Sequence, residues 1–456
     1  MVYSQIPVPD KNWLDILRQN IGAQENSILL ESCQTFTSSQ NTVEDEYSIY
    51  AFQPEILLDL NNQRVNCNNL VIPLNLQKNP FKALQYILDQ FSKQPATELP
   101  FEGGLMGYLS YDLGLKSMNI PRNQADDFEI PDMITGFYPL ALVMDHHKSM
   151  INIVGIEGRE QQAQKLIQWV KKIAPRPLQP FHLQQHWQSN MSKKEYLQKF
   201  NQVKNYILSG DCYQVNLAQR WHATYEGDNW QAYNILAQEN AAPFSAFMRF
   251  ESCEVLSISP ERFICCHGLQ CESKPIKGTR PRNPDKSIDK KLSEELKDSV
   301  KDQAENVMIV DLLRNDLSKV CRPNSVTVPS LFAIESFPAV HHMVSTVCGE
   351  LESNKSPLDL LEAAFPGGSI TGAPKKRAME IINELEPNRR NIYCGSLFYM
   401  GCNGKMDSNI AIRTLLCHQN NIYCWAGGGL VADSVDNEEY LETLTKVDKI
   451  LPILEN

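Results

Sequence analysis

The sequence predicts an α+β fold. Segments with the alternating apolar and polar residues of strands come in groups, and the helical segments do not follow the strict β–α alternation of a doubly wound sheet. Of the 456 residues, 42% are hydrophobic, so the chain can bury a large core and is long enough for two or three domains. We therefore expect an α+β protein rather than a doubly wound one.

Residues 1–175 form the predicted N-terminal region, and a proline- and glutamine-rich stretch over 176–190 is typical of a linker or long loop. Apolar periodicity and turn signals define the elements of the N-terminal region. In chain order they are strands at 27–36 and 47–60, a helix at 81–93, two strands within 133–156 joined by a turn at 145–149, and a helix at 158–174.

Residues 191–456 form a second region that is denser in motifs. Its first helix is predicted to begin after Ser192, a residue suited to cap a helix. The predicted elements are a helix at 192–209, strands at 212–225, 244–250 and 255–259, a broken helix at 286–318, strands at 325–328 and 343–351, a helix at 374–384, three strands within 391–430, and a helix at 437–454.

Composition excludes several classes of function. The net charge is −11 and no stripe of Lys and Arg is present, so we expect no nucleic-acid partner. No apolar run approaches the roughly 20 residues that span a bilayer, and the N-terminus lacks the regions of a signal peptide, so we expect a cytoplasmic protein without a membrane segment. The 13 cysteines include no Cys-x-x-Cys pair and are expected to be reduced core thiols.

Lys277 is the strongest candidate for a nucleophile. It lies in the segment Ser-Lys-Pro-Ile-Lys-Gly-Thr at 273–279, between a Pro-Ile pair that restricts the backbone and a Gly-Thr pair that frees it. An amine becomes nucleophilic when it loses its proton, which burial or a nearby cation such as Lys274 promotes. Taken alone, the segment also suits a polar strand end with two solvated lysines, and Lys274 is an alternative nucleophile.

Carboxylates supply candidates for an acid and for a metal site. Glu261 ends an apolar strand, where burial would raise its pKa and suit it to act as a general acid. Glu439 and Glu442 share one face of a predicted helix, and with Glu305 they would suit Mg²⁺, which binds few protein oxygens and keeps its waters. The alternative for Glu442 is a surface ion pair with Lys446, four residues further on.

Two segments and one arginine are candidates for binding an anion. Gly427, Gly428 and Gly429 follow a predicted strand and can offer backbone N–H groups to a carboxylate. The glycine-rich loop at 366–375 opens a helix, but its spacing does not match a nucleotide-binding Walker motif. Arg413, predicted to lie on an apolar strand, adds a guanidinium fork that suits a carboxylate.

These segments, in this order, resemble the chorismate-utilising enzymes, a family that includes anthranilate, isochorismate, salicylate and aminodeoxychorismate synthases. The resemblance covers about residues 191–454 and implies the family fold, an α+β sandwich of two large antiparallel sheets with outer helices. The matching motifs are at 210–216, 259–263, 273–279, 304–306, 311–316, 338–342, 366–375, 412–414 and 426–429.

The N-terminal region resembles the same family more weakly, through residues 29–32. In the family this segment lines a tryptophan pocket together with one similar to residues 242–245. The resemblance therefore implies a tryptophan pocket, without deciding whether tryptophan regulates the protein or is a structural fixture. Its residues would be Glu31, Ser32, Pro243 and Phe244.

Lys277 places the chain within the family. Anthranilate synthases usually have alanine at that position, whereas aminodeoxychorismate synthases of one bacterial group have lysine. The resemblance thus implies amination of chorismate at C4 to 4-amino-4-deoxychorismate, which leads to para-aminobenzoate and folate. Ammonia would come from a separate glutaminase subunit, since the chain has no region left for an amidotransferase domain.

The resemblance also implies a role for each candidate residue. Lys277 would attack C2 of the ring and form a covalent adduct, while Glu261 protonates the departing C4 hydroxyl and His342 stabilises it or polarises the ring. Mg²⁺ on Glu305 and Glu442, with Glu439 behind these ligands, would hold the ring carboxylate of the substrate. The metal residues would be Glu305, Glu442 and Glu439, and the substrate-binding residues Thr279, Arg413, Gly427, Gly428, Gly429 and Lys446.

Three alternatives remain at this point. An anthranilate synthase large subunit would aminate chorismate at C2 and eliminate pyruvate. An isochorismate or salicylate synthase would need an activated water, which Lys277 would crowd. A non-catalytic, tryptophan-binding regulatory protein would share the fold but turn over no chorismate, and the intact set of candidate catalytic residues disfavours it.

Overall fold

Two antiparallel sheets provide the framework of the computed structural model, which describes residues 1–32, 47–61, 64–91, 97–124, 127–337 and 340–455. The strands are β1 Val2–Pro7, β2 Ser27–Glu31, β3 Tyr47–Ala51, β4 Ile56–Asn61, β5 Arg64–Cys67, β6 Gly104–Leu109, β7 Met133–Tyr138, β8 Leu140–Asp145, β9 Met150–Gly155, β10 His182–Leu183, β11 Gln188–Ser189, β12 Gln214–Glu226, β13 Phe244–Arg249, β14 Glu254–Ser259, β15 Arg262–His267, β16 Gln270–Ser273, β17 Ile276–Pro281, β18 Thr327–Ser336, β19 Val340–Glu350, β20 Gly372–Ala373, β21 Ser396–Gly401, β22 Lys405–Asn409, β23 Thr414–His418 and β24 Asn421–Leu430.

Helices cover the outer surfaces. They are α1 Lys11–Gly22, α2 Pro80–Leu88, α3 Tyr111–Ser117, α4 Glu160–Val170, α5 Lys193–Leu208, α6 Asn229–Asn240, α7 Lys286–Lys297, α8 Val300–Ser318, α9 Pro357–Ala364, α10 Lys375–Leu385, α11 Asp436–Thr445 and α12 Leu451–Glu455. None of these described helices is both long enough and apolar enough to cross a membrane.

The first sheet has the order β1-β9-β8-β3-β2-β13-β14-β23-β24-β12-β10, with β11 and β20 also paired to β12. The second has the order β17-β19-β16-β15-β22-β21-β6-β7-β4-β5, with β18 paired to β19. Both sheets take strands from before residue 175 and from after residue 191. The arrangement confirms the predicted α+β class and the sandwich of two large antiparallel sheets.

The core lies in two layers. The larger cluster of buried apolar side chains draws on strands of both sheets, for example Met248 of β13 and Phe398 of β21. The smaller cluster includes Leu17 of α1 and Tyr233 of α6, which pack on the outer face of the first sheet. Burial of apolar surface at about 25 cal/mol per Å² makes these layers the main source of stability.

Local sequence signals explain where several elements begin and break. Ser192 caps α5 with a capping box, because its side chain accepts from the Glu195 N–H and the Glu195 carboxylate accepts from the Ser192 N–H. The strand predicted at 47–60 is interrupted near Pro54, and a proline at 139 separates β7 from β8, because proline cannot donate to a strand ladder.

Other predictions were wrong in number. The region 391–430 has four strands rather than three, the region 133–156 has three rather than two, and the terminal helix is divided into α11 and α12. The helices α1, α3, α6 and α9 were not predicted. Residues 33–36 of one predicted strand and 92–93 of one predicted helix lie outside the described residues.

Candidate active site

A cavity of about 570 Å³ brings together nearly all the residues predicted for chemistry. Strands of both sheets and the helices α8 and α11 contribute to its walls. The predicted residues that line it are Glu261, Lys277, Thr279, Glu305, His342, Arg413, Gly427, Gly429, Glu439, Glu442 and Lys446. Gly428 is not among the lining residues, and it instead lies against the carboxylates of Glu439 and Glu442.

A β-bulge directs Lys277 into this cavity. Ile276 pairs with Val344 on β19, but the next registered pair is Thr279 with His342, so the register shifts between them. Gly278 within the bulge has φ +79°, and a Cβ there would lie 2.8 Å from Asp302. Glycine is therefore needed beside the lysine both for its backbone conformation and for space.

Lys274 does not share this position. It is not among the residues that line the cavity, and its Nζ lies 3.5 Å from the Glu335 carboxylate. The bulge and the ion pair thus separate the two lysines of the segment. Of the two candidates for the nucleophile, only Lys277 faces the cavity.

Glu261 has the environment of a neutral-pH acid. Its side chain is buried, and burial raises its pKa to about 7, although the nearby ammonium of Lys277 and a hydrogen bond from Ser369 act in the opposite direction. The Ser369 hydroxyl lies 3.3 Å from Oε1. A carboxyl with this pKa can hold a proton near neutral pH and release it to a leaving group.

His342 and Thr279 form a polar pair on neighbouring strands. Thr279 Oγ1 lies 2.9 Å from His342 Nδ1, and the two residues are directly opposite in the ladder of β17 and β19. Burial lowers the pKa of His342 to about 4, with a further contribution from the charge of Arg413. The imidazole is therefore neutral at physiological pH and can act through hydrogen bonds rather than as a cation.

Three carboxylates face the cavity from two helices. Glu305 lies on α8, and Glu439 and Glu442 lie three residues apart on α11. Burial raises the pKa of Glu305 and that of Glu439, whose Oε1 accepts a 2.6 Å hydrogen bond from Ser434. Each of these two pKa values is also raised by the charge of Glu442, so the carboxylates repel one another.

Glu442 differs from the other two carboxylates because it has a cationic partner. Lys446 Nζ lies 2.6 Å from Glu442 Oε1 and also donates to the Gly427 carbonyl at 2.8 Å. Burial would raise the pKa of Glu442, but the charge and hydrogen bond of Lys446, together with the charges of Lys277 and Lys301, outweigh this effect, and the pKa lies below its ordinary value. The ion pair that the sequence offered as an alternative is therefore present, within the cavity wall.

The donor set suits a hard cation. Among the described residues, no three acidic, histidine or cysteine side chains form a ready-made metal cluster. The oxygens of Glu305, Glu439 and Glu442 nevertheless line one cavity and repel one another, and a divalent cation would relieve that repulsion. Carboxylates plus water are the ligands that Mg²⁺ prefers, so the residues fit this ion by their chemistry.

Arg413 and the glycine segment form a part of the cavity wall that presents hydrogen-bond donors. Arg413 precedes β23 in a left-handed conformation with φ +49°, not within a strand as predicted, and its side chain is exposed within the cavity. The glycines lie inside β24 rather than after it. Because β23 pairs with β24 only as far as Cys424, one edge of residues 425–430 is without a strand partner in the described part of the chain, and alternate N–H groups are open.

A second cavity, of about 150 Å³, contains the predicted tryptophan-pocket residues. Glu31 and Ser32 at the end of β2 meet Pro243 and Phe244 at the start of β13. The Glu31 carboxylate is already paired, since Arg18 donates to both of its oxygens at 2.6 and 2.7 Å and Tyr233 donates at 2.7 Å. The Glu31 carboxylate is therefore held by groups of the protein itself on this side of the cavity.

Several lining residues were not predicted individually. Ser369 lies in the glycine-rich loop and Asn216 in the motif at 210–216, so both were in segments singled out by the resemblance. Tyr393 and Trp425 also line the cavity, with rings stacked at 4° and centroids 6.3 Å apart. No local pattern distinguishes these aromatic residues from ordinary core residues.

Comparison with known proteins identifies the family. The model of the chorismate binding enzymes matches residues 26–452. Aminodeoxychorismate synthase component 1 of Escherichia coli (strain K12) is 50% identical over 378 residues, or 82% of this chain and 83% of that protein. Anthranilate synthase component 1 of Geobacillus stearothermophilus is 34% identical over 411 residues, or 85% of this chain and 80% of that protein.

A solved structure supports the same family assignment. The crystal structure of anthranilate synthase component I from Streptococcus pneumoniae TIGR4 matches with a TM-score of 0.81 at 28% identity, covering 91% of this chain and 94% of that one. The family match spans both predicted regions, including the weaker N-terminal resemblance. The sheets, the cavity and these similarities together show that the chain belongs to the chorismate binding enzymes.

Proposed function

We propose that the chain is component 1 of an aminodeoxychorismate synthase, which replaces the C4 hydroxyl of chorismate with an amino group. The observation that carries the proposal is Lys277, which faces the cavity beside a buried acid. The relatives of that name support it, since the Escherichia coli protein is 50% identical, compared with 34% for the anthranilate synthase of Geobacillus stearothermophilus.

The chemistry proceeds by two displacements. The amine of Lys277, in its deprotonated form, bonds to C2, and the two conjugated ring double bonds shift so that the C4–O bond breaks. Glu261 donates a proton to the departing hydroxyl, which leaves as water. The protonated adduct returns a proton to the Glu261 carboxylate. Ammonia then bonds to C4, the two double bonds shift back, and the C2–N bond breaks as Glu261 donates its proton to the departing amine of Lys277. The new ammonium group at C4 then returns a proton to the Glu261 carboxylate.

The remaining residues hold the substrate. Arg413 and the open edge of β24 would bind carboxylates, because a guanidinium fork and aligned N–H groups match their geometry. Neutral His342, fixed by Thr279, would hydrogen-bond to the departing hydroxyl or to the ring substituents. Glu305, Glu442 and Glu439 would hold Mg²⁺, which supplies positive charge for a substrate carboxylate.

Two partners belong to the proposal. The designation component 1 of the relatives supports a second subunit, which would be a glutaminase that supplies ammonia. The second cavity would bind tryptophan, whose ring suits the apolar walls formed by Pro243 and Phe244. The folate pathway, through para-aminobenzoate, would be the destination of the product.

The direct test is an incubation of the purified protein with chorismate, Mg²⁺ and an ammonium salt, followed by separation of the products. The proposal predicts 4-amino-4-deoxychorismate without release of pyruvate. Formation of anthranilate and pyruvate would identify an anthranilate synthase instead. Tryptophan binding without turnover of chorismate would identify a regulatory protein.

A further inference from the structure

Asn216 occupies a position in the cavity wall that the proposed chemistry does not yet use. It lies on β12 directly opposite Gly429 of β24, and both residues line the cavity. Its backbone is fixed on both sides, because its N–H donates to the Thr371 carbonyl at 2.8 Å and its carbonyl accepts from Arg390 at 2.9 Å. The backbone from which the Asn216 side chain extends is therefore fixed beside the glycine segment.

Arg390 determines which way the Asn216 amide faces. Nη2 of Arg390 lies 3.2 Å from Asn216 Oδ1, and a guanidinium has only donors, so the oxygen of the amide must face it. Arg390 is itself buried and paired, with 1% of its side chain exposed and both oxygens of Glu386 accepting from it at 2.7 and 2.9 Å. A further donor reaches the Ile370 carbonyl at 3.0 Å.

The Asn216 amide nitrogen is left with two unused donors. Within the described part of the chain no acceptor is hydrogen-bonded to Nδ2, although the residue is only 6% exposed. Nδ2 is not one of the fully buried, unpartnered side-chain atoms of the described residues, so its N–H groups are accessible to an acceptor on a bound ligand. The open side of this residue is the cavity.

We propose that Asn216 is a substrate-binding residue whose Nδ2 donates a hydrogen bond to an oxygen of the bound substrate, and that Arg390 is the positioning residue that holds this donor toward the cavity. The inference rests on the proposed function for the identity of the substrate as chorismate. A dicarboxylate with a ring hydroxyl offers several acceptors and no strong donor besides that hydroxyl. A fixed donor on β12, at the position paired with Gly429, complements such a ligand.

Two variants of Asn216 separate a binding role from a structural one. Asn216→Ala removes the donor, and we expect the KM for chorismate to rise roughly 10-fold or more, with a smaller change in kcat. Asn216→Asp keeps an oxygen for Arg390 but turns a second oxygen toward the anionic substrate. We expect it to raise KM at least as much as Asn216→Ala.

The measurements are steady-state kinetics with an ammonium salt and the rise in Tm that chorismate causes in each variant. Asn201→Ala, an exposed asparagine on α5, is the matched control and should leave both unchanged. Absence of any turnover by the wild-type protein would refute the proposed function. Turnover by the wild type with an unchanged KM in Asn216→Ala would refute the inference.

Asn216→Asp tests whether Asn216 has only a structural role. If Asn216→Asp binds chorismate better than Asn216→Ala, the residue serves mainly to hold Arg390, and its assignment as a donor is wrong. For Arg390, we expect Arg390→Lys to raise KM in the wild-type background but to add little to Asn216→Ala, because it acts through that amide. If Arg390→Lys raises KM by the same factor in the wild type and in Asn216→Ala, the positioning role is wrong. If Arg390→Lys fails to fold, Asn216→Ala and Asn216→Asp still test whether Asn216 is a hydrogen-bond donor to the substrate.

Discussion

Glu261 should make the stability of this protein depend on pH. Burial raises the pKa of its carboxyl from 4.5 to about 7, while Lys277 offsets only part of that rise. Between these two values the unfolded chain releases a proton that the folded chain keeps, so the free energy of unfolding falls as the pH rises. At ~1.36 kcal/mol for each unit of pKa, the full loss above pH 7 is about 3 kcal/mol.

Glu261→Gln tests this magnitude because glutamine cannot ionise. The free energy of unfolding of the variant, measured relative to that of the wild type, should rise by about 3 kcal/mol between about pH 4.5 and about pH 8.5. For a chain of this length, this corresponds to roughly 3 °C in Tm. Calorimetry at both pH values measures the gain. Glu251→Gln, at an exposed glutamate, is the control and should show no such gain.

The same residue predicts the pH dependence of turnover. Wild-type kcat should fall as the pH rises above about 7, where the acid loses its proton, and Glu261→Gln should lose ~100-fold or more in kcat. Identical pH dependence of Tm in Glu261→Gln and the wild type would refute the reasoning, because the carboxyl would then ionise as freely as in the unfolded chain.

Three further perturbations test other parts of the cavity. Gly278→Ala should lower both Tm and kcat, since its Cβ would lie 2.8 Å from Asp302 at φ +79°; an unchanged variant would show that the bulge relaxes. Arg413→Ala should raise the KM for chorismate by roughly 10-fold or more, and an unaltered KM would remove the arginine from the anion site. Chelation of Mg²⁺ should abolish turnover, and Glu305→Gln should need more Mg²⁺ for half-maximal rate, whereas full activity after chelation would exclude the metal site.

The sequence was sufficient where a property depends on neighbours in the chain. The cap at Ser192 needs only its own segment. Lys277 and Glu261 were found because each lies in a compact motif. The raised pKa of Glu261 followed from its position at the end of an apolar strand, which predicts burial.

Properties that depend on tertiary pairing could not be predicted in this way. The separation of Lys277 from Lys274 requires a register shift against β19, which no local pattern reveals. The glycines were placed after a strand because glycine disfavours strands, whereas pairing with β12 holds them inside β24. Asn216 lies in the motif at 210–216, but no pattern in that motif distinguishes it from its neighbours, because its proposed role depends on Arg390, 174 residues away.

The central claim is that Lys277 forms a covalent bond to the substrate. Incubation with chorismate and Mg²⁺ without ammonia, followed by peptide mass spectrometry, should show an increment equal to chorismate less one water, and fragmentation should place it on Lys277. Lys274→Ala should retain the adduct, and Lys277→Ala should lose both the adduct and most of the turnover. An adduct on Lys274, or full turnover by Lys277→Ala, would contradict the account.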